Sequence, residues 1–574
     1  MQDSRSLIFS RVERTAIGIG MALAMVLAIL GFTQHYQTTS QPASFLDILY
    51  NAIGVFFLQV SIEPGDIPVA LEIARWLAPA CLSYTAFKTF TTVMSNRLLQ
   101  RRISHLSGHA IICGLDSVST RALDTLLTEG ITTVVIEANN QNKYIGQTRK
   151  KGAFILVGNP ADLALLKQAN MRNAMCLLAV TEDDHINLET AYHCFQQRQS
   201  DAALPPISCA VRISNREITQ VLYQQPLFAT DQPNFSSRII DYEQLAARWL
   251  LGEYGPDKIL GNKLNTHGTL TIALIGESAL IEELIIRLAC IGHYGQSQPL
   301  QICVISAHAS KNVNALICAQ PALDSILRIS AHDTQISVLN ASYCQQVFNG
   351  IQPDIAYLHT DNTEQALSWA QVLMNLELAF PVVTCESGDG FFPDMLERQL
   401  KDSSHFACVK VMEESCHFDN IINTHQDHLA MAIHKNYRDS QLEVNDTLAT
   451  NASLVDWQQL PETLKDANRN QADHLHIKCR KIFGEDSYTA EAISALLTDD
   501  NIEILAMMEH DRWRAEKELN GWRYHHGGKN NNKRLSPNLV PWQDLSELEK
   551  EKDRDSVRHL PKLLTLLEKT QSSS

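Results

Sequence analysis

Toward the end of the chain, cations and aromatic rings fall close together: Arg512, Trp513, Trp522, Tyr524, Lys529 and Lys533. An arginine fork grips a phosphate through two parallel hydrogen bonds, and an aromatic face receives a flat base. The set could therefore hold a nucleotide-type ligand. A plainer use is open for the same residues. Trp513 and Trp522 could be core anchors, with Arg512 paired to Glu509 or Glu516 one helical turn away. Gly114 follows one β-branched run and Glu137 closes the next, the places a dinucleotide fold gives its phosphate turn and its ribose acid. The turn reads Gly114-Leu115-Asp116-Ser117-Val118-Ser119, however, and keeps only the first of three glycines. Asp116 would set a carboxylate beside a pyrophosphate and repel it. This argues against NAD in its usual pose and leaves Glu137 either as a ribose holder or as a strand end. His474-x-His476, Glu509-His510 and His525-His526 have neither the H-E-x-x-H nor the C-x-x-C spacing of a metal site. No Walker A loop or G-x-S-x-G elbow is present. The sequence predicts no enzyme, no catalytic residue and no metal site.

Alternating strands and helices would have to position these groups. HAIIC (109–113), TTVVIE (132–137), GAFILVG (152–158), AMCLLAVT (174–181) and ISCAVRI (207–213) are short β-branched runs with amphipathic stretches between them. That alternation predicts a parallel α/β sheet. A second series follows at 269–276, 299–306, 354–360 and 380–385, again with one glycine in its first turn, and reads as a diverged copy of the first. Helical patterns cover 425–437, 457–482 and 501–519, and resume near Glu547.

The first hundred residues differ in kind. Residues 15–32 carry no charge and reach about 27 Å as a helix, enough for a thin or untilted span. A signal peptide competes, but no small-x-small cleavage site follows, and a second apolar region does. Residues 45–62 are apolar apart from Asp47. Residues 69–93 are long enough to span yet hold Glu72, Arg75 and Lys88, groups that usually face protein or water. A two-span hairpin with a short re-entrant helix accommodates this. Arg5, Arg11 and Arg14 precede it and Arg97, Arg101 and Arg102 follow it, so the positive-inside rule puts both ends and the bulk of the chain in the cytoplasm of a bacterial-type inner or plasma membrane.

Length and composition agree. The chain has 574 residues, 45% of them hydrophobic and 20% charged, which suits several packed domains. A net charge of −16 excludes a broad nucleic-acid-coating surface. The 13 cysteines are scattered and odd in number, unlike a secreted disulfide framework.

Three resemblances organise these observations. Span, short helix, span and cytoplasmic domain resembles a two-helix potassium-channel subunit. The filter of that family, T-V-G-Y-G-D, falls on Ser61-Ile62-Glu63-Pro64-Gly65-Asp66, where only Gly65 and Asp66 match outright. Glu and Pro do not readily give carbonyl-filter geometry, although a ring of Glu63 carboxylates could attract cations. A pore formed by Ser61, Ile62, Glu63, Gly65 and Asp66 and a hairpin that only anchors and oligomerises are both open. The blocks HAIICGLDSVSTRALDTLL, TVVIEAN, GAFILVGNPADLALLKQANM and AVTEDDHINLETA resemble the regulator-of-potassium-conductance (RCK) or TrkA-N domain, whose members regulate channels and transporters by binding nucleotides or ions. The resemblance implies ligand contacts at Gly114, Glu137 and Asn159, the last in place of the family's usual Asp. It also implies a homo-oligomer, tetrameric in such channels. Asn468-Arg469-Asn470-Gln471-Ala472-Asp473, Glu509-His510-Asp511-Arg512-Trp513, Gly521-Trp522 and Leu539-Val540-Pro541-Trp542 resemble the ryanodine-receptor repeat, or RyR domain, a small helical module. That implies sensing of a small nucleotide-like ligand by Arg512, Trp513, Trp522, Tyr524 and Lys533.

The expected fold is thus an α-helical membrane hairpin (1–106), a Rossmann-like TrkA-N lobe (107–225), bridging helices (226–268), a second Rossmann-like lobe (269–386), a connecting region (387–450) and an all-α RyR module (451–574). The expected function is a ligand-gated ion channel or conductance regulator in a lipid membrane. The alternative is a non-conducting membrane-tethered sensor or scaffold, such as a stress or defence effector.

Overall fold

The computed structural model describes residues 11–39, 42–60, 62, 67–228, 234–266, 268–334, 336, 341–376, 378–386, 395, 398, 405–416, 420–421, 427–443, 453–484 and 488–571. The chain forms two compact units, residues 1–106 and residues 107–574.

Among the described residues the first unit is three helices: α1 (Arg11–Thr38), α2 (Phe45–Phe56) and α3 (Val69–Ser104). Small residues make their contact. Ala24, Ala28, Ala52, Ala74 and Ala78 are fully buried around Phe32, Val55 and Leu71. A Cβ at Gly31 would sit 2.5 Å from that of Leu71, so the backbones touch there as they do between membrane helices. Asp47, an isolated charge in an apolar stretch, closes a capping box at the start of α2. Ser44 and Asp47 each accept from the other's backbone N–H. Among the described helices one, Val12–Thr38, is long and apolar enough to cross a bilayer, and Phe45–Val55 is a shorter apolar helix. The second expected span, residues 69–93, is helical throughout but carries Glu72 and Arg75, which pair at 3.0 Å, and Lys88, which reaches Glu13 at 3.5 Å. Ile62 packs on the edge of this core, whereas Ser61, Glu63, Gly65 and Asp66 lie outside the described residues.

The second unit contains two six-stranded parallel sheets. The first uses β1 (His109–Cys113), β2 (Thr133–Glu137), β3 (Phe154–Val157), β4 (Ala174–Ala179), β5 (Ile207–Arg212) and β6 (Phe235–Ile240), in the order β3-β2-β1-β4-β5-β6. The second uses β7 (Thr271–Ile275), β8 (Gln301–Ser306), β9 (Arg328–Asp333), β10 (Ile355–Leu358), β11 (Val382–Cys385) and β12 (Phe406–Val409), in the order β12-β11-β10-β7-β8-β9. Renumbered from its own first strand, the second sheet has the order of the first, so both lobes are Rossmann-like. Central strands β1, β2, β7 and β10 are buried at every residue, as a parallel sheet covered on both faces requires. Register runs Ile111↔Val134 and Ile111↔Leu177 in the first lobe, and Ala356↔Ala273 in the second.

A short strand pair, Arg523–Tyr524 with Leu535–Ser536, stands in the module expected to be all-α. In the two large sheets three strands were not expected: β6, β9 and β12. The segment 226–268 is therefore not wholly a bridge, because β6 completes the first sheet. The second sheet extends to Val409, past the expected boundary at 386. All three lie at a sheet edge or end, where burial is partial and a continuous apolar run is unnecessary.

The C-terminal helices Glu462–Phe483, Ala490–Leu496, Asp499–Leu519, Glu547–Arg558 and Leu560–Gln571 do not stand apart. Leu475, Cys479, Leu505 and Met508 share one apolar core with Leu284, Leu288 and Ile302 of the second lobe. The helix Ala279–Ile291 lies between the second sheet and this layer.

Candidate functional site

The first-lobe turn is built around Gly114. Its φ of +101° suits glycine, and a Cβ there would lie 2.9 Å from the Thr181 backbone. Past it, α4 (Ser117–Thr128) begins at Asp116, whose carboxylate accepts from Ser119 N–H at 2.7 Å. The helix terminus that could receive a phosphate is thus capped by the chain's own anion. Burial raises the Asp116 pKa, a rise opposed by hydrogen bonds from Ser119 and by Arg212 at 3.9 Å. Glu137 is buried. Its Oε2 accepts from Leu115 N–H at 2.9 Å and its Oε1 from Asn139 N–H at 2.7 Å. Asn142 Nδ2 donates to Leu115 O at 2.7 Å and closes the same corner. Asn159 uses its Oδ1 to accept from Ala161 N–H at 3.0 Å. The structure brings Gly114 and Glu137 together through Leu115, and both carboxylate oxygens of Glu137 already serve backbone amides.

The five C-terminal candidates separate. Arg512 is 3% exposed. Its Nη2 donates to Glu509 at 2.9 Å and its Nη1 to Glu516 at 2.6 Å. Lys478 also pairs with Glu509. Burial alone would raise the Glu509 pKa, but Arg512 and Lys478 outweigh it and hold the carboxyl well below the usual range. Trp513 is half-buried against the His510 ring, with centroids 5.8 Å apart. Trp522 has Lys517 and Lys529 each 5.7 Å from its ring. Tyr524 is 46% exposed and its hydroxyl meets His526 Nδ1 at 2.9 Å, while Lys533 is exposed. Arg512 is thus an internal ion-pair residue, Trp522 is half-buried, and Tyr524 and Lys533 belong to the exterior.

A larger feature lies elsewhere. A cleft of about 270 Å³ opens at the carboxyl ends of β5 and β6, walled by the helices Tyr242–Tyr254, Ala279–Ile291, Glu462–Phe483 and Asp499–Leu519. Arg216, Arg238, Arg248, Arg287 and Arg469 all line it. Arg248 forks onto Asp473 at 2.8 and 2.9 Å and reaches Asp427 at 3.2 Å. Arg469 forks onto Asp427 at 3.0 and 2.8 Å and also reaches Glu462 and Asp466. Arg287 holds Asn470 and Asp473, and Arg216 pairs with Glu283. Burial opposes ionisation of Asp427, yet Arg469 and Arg248 hold its pKa at about 2. Burial, and then the neighbouring Glu243, push Asp241 on the same wall up to about 7. Sequence reasoning missed this cleft because its residues come from six separated stretches, one of them including the unexpected β6. In the sequence Arg469 and Asn470 stand out only as part of the RyR-like stretch Asn468–Asp473. Among the described residues, no three His, Cys, Asp or Glu side chains gather as a metal cage.

Comparison with known proteins agrees with two of the resemblances. The TrkA-N domain family matches residues 110–230, and the RyR domain family matches residues 497–571. The chain therefore carries both domains. The second match begins after the helix Glu462–Phe483, so that helix and its Asn468–Asp473 text lie outside it. No curated protein matches. Among solved structures, the GsuK channel is 13% identical over 70% of this chain and 81% of its own, with a TM-score of 0.39. A structure described as the GsuK channel bound to NAD is 12% identical over the same shares, with a TM-score of 0.38. Dipicolinate synthase A chain from Bacillus subtilis is 10% identical over 54% of this chain and 91% of its own, with a TM-score of 0.20. These scores are too low to argue a shared overall arrangement.

Proposed function

We propose that this chain, carrying a TrkA-N domain and a RyR domain, is a membrane-anchored regulator of ion conductance whose second unit responds to a nucleotide-type ligand. The observation that carries the reading is order along the chain. Helices of 28, 12 and 36 residues, the layout of a pore hairpin, lead directly into a complete Rossmann-like lobe matched as TrkA-N. A ligand acts in such a protein by binding one conformation better than another and shifting the population. The chain would assemble as a homo-oligomer, a tetramer if it follows two-helix channels, with its bulk in the cytoplasm. Ser61, Ile62, Glu63, Gly65 and Asp66 are its proposed pore residues.

A second reading is favoured by Glu63 and Pro64 standing where the filter family has Gly and Tyr, and by the charges on α3. It keeps the anchor and the ligand response and drops the pore. Neither reading includes a catalytic step.

Potassium flux through purified full-length protein in liposomes separates them. The channel reading expects flux that changes on adding ADP or NAD, and altered selectivity or conductance in Glu63→Gln. Absence of flux in protein whose melting temperature still shifts with ADP would leave a sensor on an anchor.

A further inference from the structure

Four of the five arginines around the large cleft have hydrogen-bonded or ion-paired acidic partners. Arg238, near the end of β6, differs. Its Nη1 is buried and, among the described residues, meets no hydrogen-bond partner. Burial, and then the adjacent Arg469 cation, lower its pKa. Asp427 and Glu462 attract it without hydrogen bonding to it. An unmatched cation in a poorly hydrated place is costly, and an anion in the cleft would satisfy it. Tyr223 lines the cleft on the first-lobe side, and Ile213, Leu245 and Ile286 give it apolar wall. A volume of about 270 Å³ is near the lower end of small-molecule pockets.

We propose that this cleft binds a phosphate-bearing small molecule with an aromatic or apolar body, a ligand of nucleotide class, and that Arg238 anchors its anionic end. The inference rests on the ligand-sensing reading above and adds a site to it. The site is distinct from the crevice between β1 and β4, where Asp116 and Glu137 already occupy the turn amides. It is also distinct from the exposed residues around Trp522. Its walls come from the first lobe through Arg216 and Arg238, from the second through Glu283 and Arg287, and from the C-terminal helices through Arg469 and Glu516. A phosphate at Arg238 would compete with Glu462 and Asp466 for Arg469, and with Glu283 for Arg216. Ligand binding would thus exchange ion pairs that now join the three parts.

The test is calorimetric titration of full-length protein in detergent with ADP, and separately with inorganic pyrophosphate. ADP should bind the wild type. Arg238→Gln should weaken it by about tenfold or more, the value of one hydrogen bond to a charged group. Tyr223→Ala, which removes an aromatic ring from the wall, should weaken it severalfold and serves if Arg238→Gln does not fold. The inference is overturned if neither probe binds the wild type, if both variants bind ADP as the wild type does, or if Trp522→Ala abolishes binding while Arg238→Gln retains it. Arg238-dependent binding with no effect on liposome flux would uphold the site and remove the conductance reading. Flux that responds to ADP equally in wild type and Arg238→Gln would do the reverse.

Discussion

Glu386 directly follows β11 and is 3% exposed, its Oε1 has no hydrogen-bond partner among the described residues, and burial pushes its pKa up to about 7. The native state therefore binds this proton more tightly than the unfolded chain does. The associated stability is complete below about pH 4.5 and is lost as the pH rises through about 7, amounting to about 3 kcal/mol. Glu386→Gln should leave the melting temperature nearly unchanged at pH 5 and raise it at pH 8; thermal melts at the two values check this. Arg512 teaches the opposite lesson about charge. Its type and neighbours suggested a phosphate grip, and the structure spends its donors on Glu509 and Glu516 at i−3 and i+4. Both partners were visible in the sequence. What the sequence lacked was depth: the same Arg-Glu spacing suits an exposed helix face or a buried network, and only tertiary packing decides between them.

At the level of elements, Asp473 on the helix Glu462–Phe483 joins that helix to both lobes. It receives the Arg248 fork from the helix Tyr242–Tyr254 and Arg287 from the helix Ala279–Ile291. Asp473→Asn would leave two largely buried guanidinium groups short of a charge, a loss of about 3 kcal/mol. A lower urea midpoint with an unchanged slope would verify this; an unchanged midpoint would contradict it. The central strands were legible because parallel strands buried on both faces are continuous β-branched runs: HAIIC, TVVIE and TIALI could hardly be read otherwise. FSSRII and RISAHD were not, because partly exposed strands at the margin of a sheet tolerate Ser, Arg and Asp; FACV, at four residues, is too short an apolar run to stand out by its pattern. The cleft was illegible for a related reason. Its arginines are far apart in sequence, and only the fold makes them neighbours.

At the scale of the whole molecule, the RyR match and its flanking helices suggest a detachable module by sequence, but residues 107–574 form one compact unit with a shared core. A fragment covering 451–574 would uncover Leu475, Leu505 and Met508, which lie at 1% exposure or less in the full unit. It should melt at a lower temperature than the unit 107–574 and bind a hydrophobic dye that the larger fragment does not. Equal melting temperatures would show that the helices hold together without the lobes.

The shared core also has a consequence for synthesis. Leu288, on the helix between the second sheet and the C-terminal layer, emerges from the ribosome nearly two hundred residues before Leu475, which shares its core. At roughly 5–20 residues per second, the apolar face of that helix stays uncovered for about 10–40 s in every newly made chain. For roughly the last third of that interval, once β12 has emerged, both lobes are able to fold while their last covering layer is still being translated. The nascent chain is then a client for chaperones, and a message truncated after the second lobe yields a protein with a permanently sticky side.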